Sequence, residues 1–191
     1  MLSIIRSKLE RLDWQLLVAA VLLIAFGLAA IFSATLNIGD SSSSRVLRQV
    51  VSLAIGAGLF FALAFSDYRA LKTYTWPIVG AMVIILFLVV TFGQTIRGTT
   101  GWFVLGPLRF QPVELAKVVF VLYLAYLVRG THAVPHWNRI FWLGGLGLLV
   151  FVGLVALQPD FGSSSVMILI WLGSLWISGL PRRYWIVLGA V

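Results

Sequence analysis

Glu114 and Lys117 stand three residues apart in RFQPVELAKVV (residues 109–119), at the start of a long apolar run. An acid and an amine at that spacing share one helical face and can pair across a single turn. Pro112 suits the first turn of a helix, Gln111 can cap it, and Glu114 falls near the positive end of the helix dipole. Lys117 lies a turn deeper, where a charge in hydrocarbon costs about 2.5–3.5 kcal/mol, so it needs a partner and Glu114 is the nearest. Two readings stand: the pair faces a wet cavity inside a bundle, or Lys117 snorkels back to the interface.

A second polar point is LQPDFGSSS (residues 157–165), where Gln158 and Pro159 end one apolar run and Asp160 precedes the Ser-rich start of the next. Helix N-termini there, with Arg97 and Arg109 nearby, suit an anionic headgroup such as a lipid-linked pyrophosphate. The other reading of Asp160 is a plain N-cap. Between the two points, TTGWFVLGPLRF (residues 99–110) mixes glycines with Trp102, Phe103, Leu105, Leu108 and Phe110. Such a segment either lies as a greasy loop on the membrane or folds back into the bundle. The chain has no cysteine, which removes thiol catalysis, disulfides and Cys-ligated metal, and His132 and His136 are too few for a metal site.

The elements that must position these residues follow from composition. With 61% hydrophobic residues, 10% charged residues and a mean hydropathy of +1.03, too little polar surface remains to cover a soluble globule. The formal charge of +8 comes from Lys and Arg scattered between apolar runs, so no nucleic acid partner is expected. Runs long enough to cross about 30 Å of hydrocarbon fall at 14–35, 46–66, 75–92, 112–128, 140–157 and 163–179. A seventh begins at Tyr184 and reaches only about 12 Å by Val191. The expectation is an all-α polytopic membrane helical bundle, a single domain of six complete transmembrane helices plus the start of a seventh. The chain reads as the N-terminal portion of a longer protein, with a short interfacial tail as the other reading, and the first span reads as an uncleaved signal anchor.

One set of loops holds Arg6, Lys8, Arg11, Arg69, Lys72, Arg129, Arg139, Arg182 and Arg183, the other only Arg45, Arg48, Arg97 and Arg109. The first set, with the N-terminus, should be cytoplasmic. The loops at 35–45, 93–111 and 157–162 then face outward. Trp14, Trp76, Trp137 and Trp185 lie at span ends and are expected as interfacial anchors.

In order, LDWQLL, FGLAAIFSAT, RQVVSLAIG, DYR, GWFVLGPLRFQPVELAK and LQPDFG resemble the N-terminal part of the SEDS family, which includes RodA, FtsW and SpoVE. The resemblance covers nearly the whole chain, and DWQLL is closer to the RodA pattern. Two positions depart from it: Gly101 stands where the family has arginine, and Val113 where it has serine. What the resemblance implies is a peptidoglycan glycosyltransferase of the bacterial cytoplasmic membrane, with about ten spans. It would polymerise lipid II on the outer face, paired with a class B penicillin-binding protein and surrounded by membrane lipids. The carboxylate that serves as general base would lie beyond Val191, so no catalytic residue is expected in this chain. Glu114 and Lys117 match the charged pair of the family's fourth span, beside the lipid II cavity, and Asp160 and Gly162 match its QPD-x-G turn. Gln111, Arg109, Arg97 and Trp102 complete the residues expected to bind substrate or shape the cavity. Departure of a pyrophosphate calls for positive charge or a divalent cation, and which of them serves is left open. A lipid-linked precursor flippase, or a non-catalytic scaffold of a cell-wall synthase, would use the same spans and charges.

Overall fold

In a computed structural model, residues 13–35, 41–65, 71–96, 98–106, 108–128 and 136–189 are described. The chain divides into two compact units, Met1–Tyr68 and Arg69–Val191.

The first unit contains α1 (Trp14–Thr35) and α2 (Ser41–Phe65), which pack on each other. Asp13 starts α1: its Oδ1 accepts from the amides of Gln15 (3.0 Å) and Leu16 (3.2 Å), satisfying two donors that a helix end leaves without partners. Both helices expose most of their large apolar side chains, Phe26 and Leu59 among them, as a segment solvated by lipid rather than water does.

The second unit begins with α3 (Leu71–Phe92) and continues into three short strands, β1 (Gln94–Ile96), β2 (Thr99–Leu105) and β3 (Leu108–Phe110). They form an antiparallel sheet in the order β1-β2-β3. The register pairs Gln94 with Trp102, Val104 with Arg109, and Phe103 with Phe110. Both reversals use a left-handed glycine, Gly98 (φ 85°) and Gly106 (φ 59°). This sheet corrects the all-α expectation: the irregular segment at 93–111 is a meander that packs on helices, not a loop. Its physical reason is hydrogen bonding, since backbone held against a bundle must satisfy its own N–H and C=O groups and a ladder does so locally.

After the sheet come α4 (Pro112–Val128), α5 (His136–Arg139), a π-helical turn (Ile140–Gly144), α6 (Gly145–Ala156), α7 (Phe161–Ile177) and α8 (Arg182–Gly189). The segment from α5 through the π turn to α6 is one apolar helix, Trp137–Ala156. It starts before the expected 140 and ends one residue short of 157. The other expected runs shift by similar amounts, with α2 opening at Ser41, α7 at Phe161, and α8 at Arg182 rather than Tyr184. Three described helices have the length and hydropathy of a membrane span, within Trp14–Ala34, Thr73–Phe92 and Trp137–Ala156. The 17 residues of α4 and of α7 rise about 26 Å, slightly less than a typical hydrocarbon core. The chain is thus a mostly helical integral membrane protein carrying a small sheet.

The core of the second unit is apolar and joins four helices. Leu86 of α3, Phe120 and Leu124 of α4, Phe151 of α6 and Met167 of α7 are all buried. Three of the expected interfacial tryptophans pack on other rings. Trp76 meets Tyr123 and Tyr126 edge-on at 5.9 and 6.0 Å, Trp137 lies 5.0 Å from Tyr184, and Trp185 lies 5.7 Å from Trp176. Such pairs each add about 0.5–1.5 kcal/mol beyond burial.

Candidate functional site

The sheet sits where α3 and α6 end and α4 and α7 begin, so four helix termini meet there. At α4, Pro112 occupies the first helical position and is buried, and the amide of Glu114 donates to the carbonyl of Gln111 (3.2 Å). That backbone bond closes the first turn and leaves the Gln111 side chain for another partner. Lys117 Nζ donates to Glu114 Oε1 at 2.8 Å, with the lysine side chain 21% exposed and the glutamate 60%. The i,i+3 pair expected from spacing therefore forms, with the amine set deeper than the acid.

At α7, Asp160 is the N-cap. Its Oδ1 accepts from the Ser163 amide (3.0 Å) and its Oδ2 from the Ser163 hydroxyl (2.8 Å). Gln111 Nε2 donates to the same Oδ2 at 3.3 Å, tying the start of α4 to the start of α7 across 49 residues of sequence. The Asp160 carbonyl accepts from the amide (3.2 Å) and hydroxyl (2.9 Å) of Ser164. Each oxygen of Asp160 thus has a partner within the protein. Asp160 caps the Ser163 amide at the start of α7, while at the start of α4 the Glu114 amide turns back to the Gln111 carbonyl.

Gln158, singled out from the sequence only as a helix breaker, is fully buried. Its carbonyl accepts from the Thr100 amide of β2 (3.3 Å), and its Nε2 donates to Leu154 O (3.3 Å). Its Oε1 has no hydrogen-bond partner among the described residues. Gly101 explains the close approach: a Cβ built there would lie 2.7 Å from Gln158 Oε1. The arginine of the family pattern has no room at 101 unless Gln158 moves, so the departure noted in the sequence has a steric counterpart.

Pairing and alternation put Gln94, Trp102, Val104 and Arg109 on one sheet face, opposite to the face of Gly101. Trp102 is partly buried and Arg109 exposed. Gly162 is exposed, and a Cβ there would meet Asp160 Oδ1 at an ordinary 3.6 Å, so no steric demand for glycine exists at that position. Arg97 and His132 lie outside the described residues. Among the described residues, no three His, Cys, Asp or Glu side chains gather as a metal site. The structure therefore brings Gln111 to Asp160 and Glu114 to Lys117, and sets Trp102 beside Arg109 on the sheet.

Two further side chains meet in the core. Tyr123 Oη donates to Leu143 O (2.8 Å) and Trp171 Nε1 to Ile140 O (2.9 Å), both at the π turn. The only signal of this in the sequence is the run Gly144-Gly145-Leu146-Gly147, which clears space for the two rings.

A helical membrane protein with a charged pair at the head of one span and a capped Gln-Pro-Asp turn beside it defines the class. Residues 13–191 match the family described as "Cell cycle protein", whose members are FtsW, RodA and SpoVE. The chain belongs to this family. It is 34% identical to the probable peptidoglycan glycosyltransferase FtsW of Allochromatium vinosum, over 94% of this chain and 47% of that protein. It is 30% identical to the peptidoglycan glycosyltransferase RodA of Treponema pallidum, over 90% of this chain and 40% of that one. Among solved structures, it resembles a chain of a peptidoglycan synthase complex that coordinates polymerization and crosslinking, with 36% identity, a TM-score of 0.75 and coverage of 93% and 51%. It also resembles a mutant of the rod shape determining protein RodA of Thermus thermophilus, with 36% identity, a TM-score of 0.74 and coverage of 93% and 57%. The chain spans about half the length of the relatives it matches. Relatives named FtsW and RodA match at similar identity, so these matches establish the family and not the branch.

Proposed function

We propose that this chain is the N-terminal part of a peptidoglycan glycosyltransferase that polymerises lipid II at the outer face of the bacterial cytoplasmic membrane. The observation that carries the reading is family membership along residues 13–191, together with the formed Glu114–Lys117 pair where the resemblance expects a groove wall. In this reading six helices cross the membrane from a cytoplasmic N-terminus, and a seventh starts at α8. The bias of Lys and Arg between the two sets of loops supports that orientation.

Lys117 supplies a positive charge near the diphosphate of the substrate, and Glu114 holds the ammonium in place without removing its charge. Positive charge at a departing diphosphate lowers the barrier because it stabilises charge that grows in the transition state. Arg109 and Trp102 offer a cation and a ring on one sheet face for the headgroup. Asp160, Gln111 and Gly162 shape the corner that walls the groove beside the pair. The general base lies outside these 191 residues, and a class B penicillin-binding protein is the partner.

The test is polymerisation by purified full-length protein. Lys117→Met is expected to abolish most glycan formation, while retention of the unaltered rate overturns the role assigned to the pair. These 191 residues alone are expected to form no glycan from lipid II, and detectable product from them refutes the placement of the base elsewhere.

A further inference from the structure

The π turn at Ile140–Gly144 interrupts the apolar helix that leads into the candidate site. A π turn holds one more residue than an α turn, and such turns occur mostly as single insertions within α-helices. Conversion of this turn to α geometry would rotate α6 against α5 by about 100°, the angular step of one residue. The turn is fixed by two donors from different helices. Tyr123 of α4 reaches Leu143 O, and Trp171 of α7 reaches Ile140 O.

The surrounding glycines are fitted to these two rings. A Cβ on Gly144 would lie 2.9 Å from Leu124 Cδ2 and 3.3 Å from Trp171 Nε1, and one on Gly145 would lie 3.3 Å from Trp171 Cζ2. One on Gly147 would overlap the Tyr123 ring. Small residues at a helix contact are the usual means of close approach in membranes, where apolar burial gives no drive.

Downstream, α6 delivers the corner residues. Val155 is fully buried, and the Gln158 amide closes onto its carbonyl (3.0 Å). Gln158 then meets β2 through Thr100, and Asp160 meets Gln111. A rotation of about one residue step would withdraw both contacts together. Gln158 Oε1, which has no hydrogen-bond partner among the described residues, lies at this same contact with β2.

We propose that Tyr123 and Trp171 are positioning residues: by clamping the π turn they set the rotational phase of α6 and so place Gln158 against β2 and Asp160 against Gln111. The functional part of this proposal rests on the reading of that corner as a wall of the lipid-linked substrate groove.

The experiment uses full-length protein in detergent and reads phase separately from activity. Val155→Cys and Leu157→Cys are probed with N-ethylmaleimide, since Val155 is 0% and Leu157 65% exposed. In the otherwise unaltered protein position 157 labels and position 155 does not. Tyr123→Phe, which keeps the ring and loses one oxygen, is expected to make position 155 reactive and to cut polymerisation by about 10–100-fold, the scale of a small misplacement in an active site. Trp171→Phe should do the same if Tyr123→Phe fails to fold. Deletion of Trp142, whose side chain is 68% exposed, removes the extra residue and is expected to restore both readouts in the Tyr123→Phe background. Labelling in both Phe variants that matches the unaltered protein overturns the proposal, as does a deletion that leaves position 155 reactive. Shifted labelling in a protein that never polymerises lipid II instead refutes the functional reading while the clamp stands.

Discussion

Asp160 receives three hydrogen bonds at its carboxylate, from Ser163 N, Ser163 Oγ and Gln111 Nε2. Loss of an N-cap costs about 0.5–2 kcal/mol, and the Gln111 amide loses its acceptor as well. Asp160→Ala is therefore expected to lower the thermal unfolding midpoint in detergent. Asp160→Asn should fall between the two, because it keeps an oxygen for Ser163 N but turns an amide toward Gln111. A midpoint for Asp160→Ala equal to that of the unaltered protein would sink this role of Asp160 as cap and tie. The sequence leaves Asp160 between a place at a headgroup-binding face and a plain N-cap, and the structure shows the cap formed. The sequence also shows the Glu114–Lys117 pair, because partners three residues apart on a helix are legible from spacing. The tie to Gln111 was not legible, since nothing local marks a partner 49 residues away.

The meander is the element that sequence reasoning missed. Strand patterns are read from alternation of apolar and polar residues, but Trp102, Phe103, Val104 and Leu105 are apolar on both faces, so no period of two is visible. The glycines that mark its reversals, Gly98 and Gly106, suit an irregular loop as well as a strand turn. Gly93 shows how closely the sheet is held to α3. A Cβ there would lie 2.7 Å from the carbonyl oxygen of Thr100 in β2 and would overlap that of Val89. Both neighbours are backbone, so relief requires the helix end or the strand to shift. Gly93→Ala is expected to cost about 1–3 kcal/mol, the usual range for overpacking, measured as a lower unfolding midpoint with faster proteolysis within residues 94–110. An alanine variant as stable and as resistant as the original would show that the sheet does not pack there. The π turn escaped detection for a related reason: its glycines signal close packing, which an ordinary helix also uses.

At the scale of the whole chain, helix positions were legible because hydrocarbon accepts only long apolar segments with satisfied backbones, and composition states that directly. Ends were less legible, since caps such as Asp160 and the turn at Ser41 extend helices into polar sequence. Orientation rests on a different force. Nine Lys and Arg residues fall in one set of loops and four in the other, and short loops rich in these residues stay on the cytoplasmic side during insertion. Arg45 and Arg48 lie within α2, and Lys72, Arg139, Arg182 and Arg183 within α3, α5 and α8, so the bias is counted over the loops together with the helix ends that flank them. Alkaline phosphatase fused within residues 36–40 or at Gly106 is therefore expected to be active, and fused within 66–70, 129–135 or at Gly179 inactive, with a cytoplasmic reporter giving the reverse. Phosphatase activity at 66–70 would invert the chain. That outcome would put Glu114, Lys117 and the sheet on the cytoplasmic side, where no glycan is polymerised in the proposed reaction, so orientation and function stand or fall on the same measurement.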